Sequence, residues 1–99
     1  MSAINDKLET LPDRPGVYMF KDAGGEILYV GKAKSLRSRV RSYFREAGPT
    51  HPRTIRLLER VTDFDILSTD SEIEALILEA NLVKEHKPRY NVSLKDDKR

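Results

Sequence analysis

Cysteine and tryptophan are absent from this 99-residue chain, and it has only three phenylalanines and four tyrosines. Without cysteine there are no disulfides and no thiolate metal sites, which suits a reducing, cytoplasmic setting. No apolar run is long enough to cross a bilayer, so no membrane role is expected. The N-terminus carries Asp6 and Glu9 and has no apolar stretch of the kind a signal peptide needs. Internal repeats and low-complexity tracts are missing too. The two histidines, His51 and His86, have no partners at ligand spacing. A hydrophobic content of 38% over 99 residues allows one small domain, 1–99, with a modest core.

Net charge is only +2, but it is unevenly spread. Between Ile27 and Leu58 stand eight basic residues (Lys32, Lys34, Arg37, Arg39, Arg41, Arg45, Arg53, Arg56) against one acid, Glu46. The acids gather between Asp63 and Glu85. A polarised small domain of this kind points to a polyanionic partner, although a solvated basic helix face would give the same count.

Two short strings, Gly16-Val17-Tyr18 and Tyr29-Val30-Gly31, flank the turn signal Asp22-Ala23-Gly24-Gly25. They predict a β-hairpin with strands 16–20 and 26–31. With Lys21 facing Glu26, Tyr18 would lie directly opposite Tyr29 on one face. Gly31 follows Tyr29 at a strand end, where a side chain could obstruct a DNA backbone; Gly16 follows Pro15 as a turn glycine would.

Ile4, Leu8 and Leu11 predict a short amphipathic helix ending near Pro12. Ser35 is the expected N-cap of a helix running to about Ala47 and stopped by Gly48-Pro49. Its apolar stripe is Leu36, Val40, Tyr43, Phe44 and Ala47. Arg37, Arg41 and Arg45 fall on the opposite face and, with Lys34, are candidates for phosphate contact. Arg39 flanks the stripe four residues before Tyr43, so the two side chains are neighbours. Together they can hold a phosphate, with a guanidinium fork and a phenol donor. The plain alternative is an Arg39–acid pair and a core Tyr43.

A further helix is expected from Pro52, with Ile55, Leu58 and Val61 inward, then a third strand over 62–67. Ser71 with Glu74 forms a capping box opening a helix to about His86, closed by Pro88. On it Ile73, Leu76, Ile77, Ala80 and Val83 make one apolar sector, and Ala75, Leu78 and Leu82 make another, with Glu79 between them. A carboxylate in that position needs a cation, either an arginine or a single Mg²⁺ or Mn²⁺. The sum is an α+β domain, a small three-stranded antiparallel sheet flanked by helices.

The segments Pro15-Gly16-Val17-Tyr18, Tyr29-Val30-Gly31-Lys32-Ala33-Lys34, Leu36-Arg37-Ser38-Arg39, Arg41-Ser42-Tyr43-Phe44, Glu74 to Lys84 and Lys87-Pro88-Arg89-Tyr90-Asn91-Val92 resemble the N-terminal domain of the UvrC family of GIY-YIG nucleases. The likeness covers nearly the whole chain. It implies an N-terminal module of a much longer protein, acting as a metal-dependent endonuclease that cuts damaged double-stranded DNA on the 3′ side of a lesion after UvrB has loaded. By this resemblance Tyr29 is the general base, Arg39 and Tyr43 hold the scissile phosphate, and Glu79 holds the divalent ion. Tyr18, Lys32 and Asn91 match further active-site positions, and Gly16 and Gly31 belong to the motif. The isolated domain is expected to be a monomer. A free-standing nuclease such as the shorter relative Cho, and a non-catalytic nucleic-acid module, are the other readings.

Overall fold

The hairpin forms, two residues away from the expected register. In the computed structural model, which describes residues 3–45 and 50–91, β1 (Gly16–Lys21) pairs antiparallel with β2 (Ile27–Ala33). Tyr18 faces Gly31, and Phe20 faces Tyr29, rather than Tyr18 facing Tyr29. Two local events account for the shift. The turn closes one residue later than expected: the Asp22 N–H donates to Glu26 O at 3.0 Å. The Asp22 carboxylate also accepts from the Gly24 and Glu26 N–H groups at 2.9 and 3.0 Å, and Gly25 takes a left-handed φ of 87°. That change alone would turn every β2 side chain to the other face. A bulge between the Phe20–Tyr29 and Lys21–Ile27 pairs adds a second residue and restores the facing. Tyr18 and Tyr29 therefore do share a face, as diagonal neighbours.

β3 (Asp63–Ser68) pairs antiparallel with β1, giving strand order β2-β1-β3 with β2 on an edge. Alternation sorts the core into two layers. Tyr18, Phe20, Leu28 and Phe64 pack with Leu11, Leu36, Val40 and Leu57. Val17, Met19 and Val30 pack with Ala75 and Val83. The first layer lies under α1 (Ala3–Glu9), α2 (Leu36–Tyr43) and α3 (Pro52–Arg60), and the second under α4 (Glu72–His86).

Ser35 caps α2 through its hydroxyl, which accepts the Ser38 N–H at 3.3 Å. The helix ends at Tyr43, with Phe44 as C-cap, short of the expected Ala47; Ala47 and Gly48-Pro49 lie outside the described residues. α3 turns Leu57 inward, with Leu58 and Val61 packed against the same core as expected, and leaves Ile55 exposed. Ser71 caps α4 at Glu74 N as foreseen, but the Glu74 carboxylate reaches back to Asp70 N at 2.9 Å. α4 buries Ala75 and Val83, with Leu78 and Leu82 beside them, so Val83 packs with the second sector rather than with the first, where it was expected. Ile73, Leu76 and Ile77 of the other apolar sector stay exposed, since a single helix on one sheet face hides only one stripe. Among the described residues no helix is long and apolar enough to cross a membrane. Val92–Arg99 lie outside the described residues.

Candidate active site

Three tyrosines from three elements meet on the aromatic face. Tyr18 of β1 is completely buried, at 0% exposure, and its hydroxyl shares a 2.8 Å hydrogen bond with that of Tyr43, the last residue of α2. The Tyr18 ring lies 5.7 Å from the Tyr43 ring and 6.2 Å from that of Tyr29. Phe20 locks the group from below, edge-on to Tyr43 at 5.0 Å. Such packing fixes the hydroxyls more firmly than loop residues can be fixed.

Gly31 is required by this packing. It faces Tyr18 across the ladder, and a Cβ there would collide with the Tyr18 ring and hydroxyl. The glycine makes room for the tyrosine inside the protein, which is a different reason from the expected clearance for DNA. Gly16 answers a similar demand: a Cβ would run into Leu67 O and come within 2.7 Å of Leu36 Cδ1. It sits inside the strand rather than in a turn.

Arg39, one helical turn before Tyr43, approaches the Tyr18 hydroxyl and keeps its own proton more firmly for it, with Tyr43 and Tyr29 adding to the effect. Burial pushes the Tyr18 phenol far above its ordinary range, and Tyr43 and Tyr29 push it further. Tyr18 is thus a neutral hydrogen-bonding group. Burial likewise raises Tyr29, with Tyr43 and the charge of Glu79 adding and Arg39 opposing. Glu79 on α4 is half-buried, and its charge is near enough to act on Tyr29. Among the described residues Glu79 makes no ion pair, so the arginine considered for it from sequence is not found there.

Lys32 is exposed on β2, opposite Val17 and on the α4 side of the sheet, outside the tyrosine cluster. It shares a cavity of about 590 Å³ with Arg39, Lys34, Ser38 and the first turns of α4. Asn91 is hydrogen-bonded to Val30, the residue after Tyr29. Its amide is buried and clasps the Val30 peptide at both ends, accepting from Val30 N at 2.8 Å and donating to Val30 O at 3.0 Å. It stands in for a missing neighbour strand at the β2 edge. Asn91 was expected among the catalytic groups; in the structure its amide holds β2, the strand that carries Tyr29.

The basic face of α2 also differs from expectation. Arg37 Nε donates to Leu11 O at 3.0 Å and Arg41 Nε to Leu8 O at 3.0 Å. Both arginines tie down carbonyls at and beyond the end of α1, where helices leave acceptors unpaired. They are structural ties before they are phosphate contacts. Arg45 is exposed just beyond α2.

Sequence reasoning overlooked one wall of the site. A second cavity of about 220 Å³ is lined by Tyr29, Tyr43, His51, Arg53, Thr54, Leu57 and Tyr90. His51 caps α3, its Nδ1 accepting the Arg53 N–H at 3.2 Å, with Pro52 at the first helical position. The His-Pro pair was the available signal, a polar cap before a helix-opening proline.

The donor set suits one hard cation. Among the described residues no group of three or more acids or histidines converges, which leaves the single carboxylate of Glu79. Mg²⁺ is commonly held by one or two carboxylates, with waters and substrate phosphate oxygens completing its shell.

These features coincide with a known domain type. A family model for the UvrC-like GIY-YIG domain matches residues 14–92. UvrABC system protein C of Moorella thermoacetica is 62% identical over 95 residues, 96% of this chain and 15% of that protein. Its counterpart from Pelodictyon phaeoclathratiforme is 56% identical over 96 residues, 97% of this chain and again 15% of the relative. The chain thus spans about 15% of the length of these relatives. The crystal structure of the GIY-YIG N-terminal endonuclease domain of UvrC from Thermotoga maritima, bound to its catalytic divalent cation magnesium, matches with a TM-score of 0.78 at 40% identity, over 91% of this chain and 98% of that one. On sequence and fold together, the chain belongs to the UvrC-like GIY-YIG domain family.

Proposed function

We propose that this domain is a divalent-metal-dependent endodeoxyribonuclease that hydrolyses a DNA phosphodiester, making the 3′ incision beside a lesion in nucleotide excision repair. In this reading it acts in the cytoplasm, as a monomeric module, on damaged duplex DNA loaded with UvrB. The observation that carries the reading is the meeting of Tyr18, Tyr29 and Tyr43, with Arg39 and Glu79 within electrostatic reach of them. The magnesium-bound endonuclease domain from Thermotoga maritima supports it.

Each residue then has a task set by its surroundings. Tyr18, neutral and buried, fixes the Tyr43 hydroxyl. Tyr43 and Arg39 hold oxygens of the scissile phosphate, and Arg39, which keeps its proton firmly, stabilises charge that grows there in the transition state. Lys32 adds a second cation along the shared cavity. Tyr29 is the base that orients and deprotonates the attacking water. Because its phenol is raised, it rests protonated, and it can take the proton of the attacking water only as its own O–H proton passes to a solvent water. Glu79 would hold Mg²⁺ or Mn²⁺, which supplies Lewis-acid neutralisation of the phosphate when bound.

The test is Glu79→Gln in the full-length protein, on a lesion-bearing duplex loaded with UvrB, across a Mg²⁺ and Mn²⁺ titration. Incision should disappear while the melting temperature and DNA affinity stay unchanged. Undiminished cutting would remove Glu79 from the metal site.

A further inference from the structure

Two cavities border the candidate site. Arg39 and Lys32 line the larger, and Tyr29 and Tyr43 face into the smaller. A DNA strand is continuous. With its scissile phosphate against Arg39, Tyr29 and Tyr43, it must run on past the tyrosines in both directions. The smaller cavity is where one of those directions leads, and it has a cation of its own.

That cation is Arg53. It is half-buried, and among the described residues its guanidinium forms no salt bridge. It stands in the first turn of α3, which contains no acid. A positive side chain there opposes the helix dipole, so helix stability does not explain it. The support beneath it is stiff, because Pro52 and the His51 cap fix the backbone from which it projects.

We propose that Arg53 binds the DNA backbone phosphate next to the scissile one, and that the smaller cavity seats the adjoining nucleotide. This rests on the nuclease reading given above. Arg53 is a positioning residue: it sets the register of the strand over Tyr29 without touching the reacting atoms.

The test uses the full-length protein on UvrB-loaded lesion duplexes that carry one neutral methylphosphonate, placed in turn at the scissile phosphate and at each neighbour. Wild type is compared with Arg53→Gln, Arg53→Lys and Arg60→Gln, the last an exposed residue at the far end of α3. Neutralising one neighbouring phosphate should slow wild type about as much as Arg53→Gln slows cutting of natural DNA. The two changes combined should cost no more than either alone. Arg53→Gln should lower DNA affinity about tenfold and reduce the slope of log affinity against log salt by about 0.9. Arg53→Lys should restore that slope, and Arg60→Gln should behave as wild type. Losses that multiply at every position, or an unchanged salt slope, would overturn the assignment. Wild type that binds DNA without cutting it would end the nuclease reading, and the salt slope would still decide Arg53. An Arg53→Gln protein that melts early, with Arg53→Lys giving no rescue of the slope, would make the residue structural and also overturn the proposal.

Discussion

The two faces of the sheet are built from different materials. One carries Tyr18, Phe20, Tyr29 and Phe64 beneath α1, α2 and α3; the other carries Val17, Met19 and Val30 beneath α4. The aliphatic face needs only to exclude water. The aromatic face does that as well, and its rings also deliver hydroxyls to the edge of the sheet. Tyr18 shows how: it is fully buried, yet its oxygen ends on Tyr43. The plain face is not idle, for its covering helix supplies Glu79. The site is therefore rigid because it is an extension of the core, and it forms where the edge strand β2 lets both layers reach the same place.

The comparison is broken most severely through α2, whose arginines do different work. Arg39→Ala should lower incision by about 100- to 1000-fold, the usual loss for one preorganised donor to developing charge. Its melting temperature should match wild type. Arg37→Ala should leave the rate of the folded protein nearly unchanged but cost about 1 kcal/mol of stability, because Leu11 O loses its donor. Incision kinetics and thermal melts on the same preparations separate the two. Equal loss of activity in both variants would mean that Arg37 also serves the substrate.

That distinction was only half legible in the sequence. Helical spacing set Arg39 beside Tyr43 and apart from Arg37 and Arg41. It had no way to show that Arg37 and Arg41 end on carbonyls at and just beyond the end of α1. The same limit recurs elsewhere. The Ser35 and Ser71 caps, the hairpin and the third strand are local patterns and were readable. The register was not, because one late-closing turn and one bulge each move it by a residue, and composition records neither. Tyr18 and Tyr29 shared a face as expected only because the two shifts add to an even number. On α4 two apolar sectors looked equivalent; only the position of the sheet selected the second and drew Val83 of the first in with it. Asn91 could be read as a site residue from its surrounding string alone; its grip on Val30 is a tertiary fact.

Gly31→Ala sharpens the contrast between faces at a single pair. The added methyl group meets the Tyr18 ring, which has Phe20 and Tyr43 behind it and nowhere to retreat. Overpacking of this kind costs about 1–3 kcal/mol. Incision should fall with it, since moving Tyr18 also moves the Tyr43 hydroxyl. Tyr18→Phe in the same background should recover part of the stability and little of the activity. A Gly31→Ala protein with normal melting and normal cutting would show that the cluster is looser than its packing indicates.

The smallest effect lies where α1 is fastened to the outer strand of the aromatic face. Lys7 Nζ donates to Asp63 at 2.9 Å and Phe64 O at 2.7 Å, with Asp65 at 3.5 Å; Lys21 holds Asp65 at 2.7 Å. Hydrogen bonding to Lys7 lowers Asp63, and hydrogen bonding to Lys21 lowers Asp65, both from an ordinary 3.8. Bonding to Asp63 raises Lys7 from 10.5. The acids are stabilised while ionised, so their contribution is present above their unfolded pKa and is lost as pH falls through the depressed folded values. The lysine contributes fully below its unfolded pKa and loses that contribution as pH rises through its raised folded value. Both are complete near neutrality. The side chains of Lys7, Asp63 and Asp65 are 36–48% exposed, so solvent screens the pairs and the total is about 0.2–1 kcal/mol. Lys7→Met should therefore lower the melting temperature by a few degrees at pH 7, by less at pH 3, and leave incision untouched. A deficit as large at pH 3 as at pH 7 would assign the loss to the ammonium's contacts with Phe64, its bond to Phe64 O and its place 5.6 Å from the ring centre, rather than to the two acids.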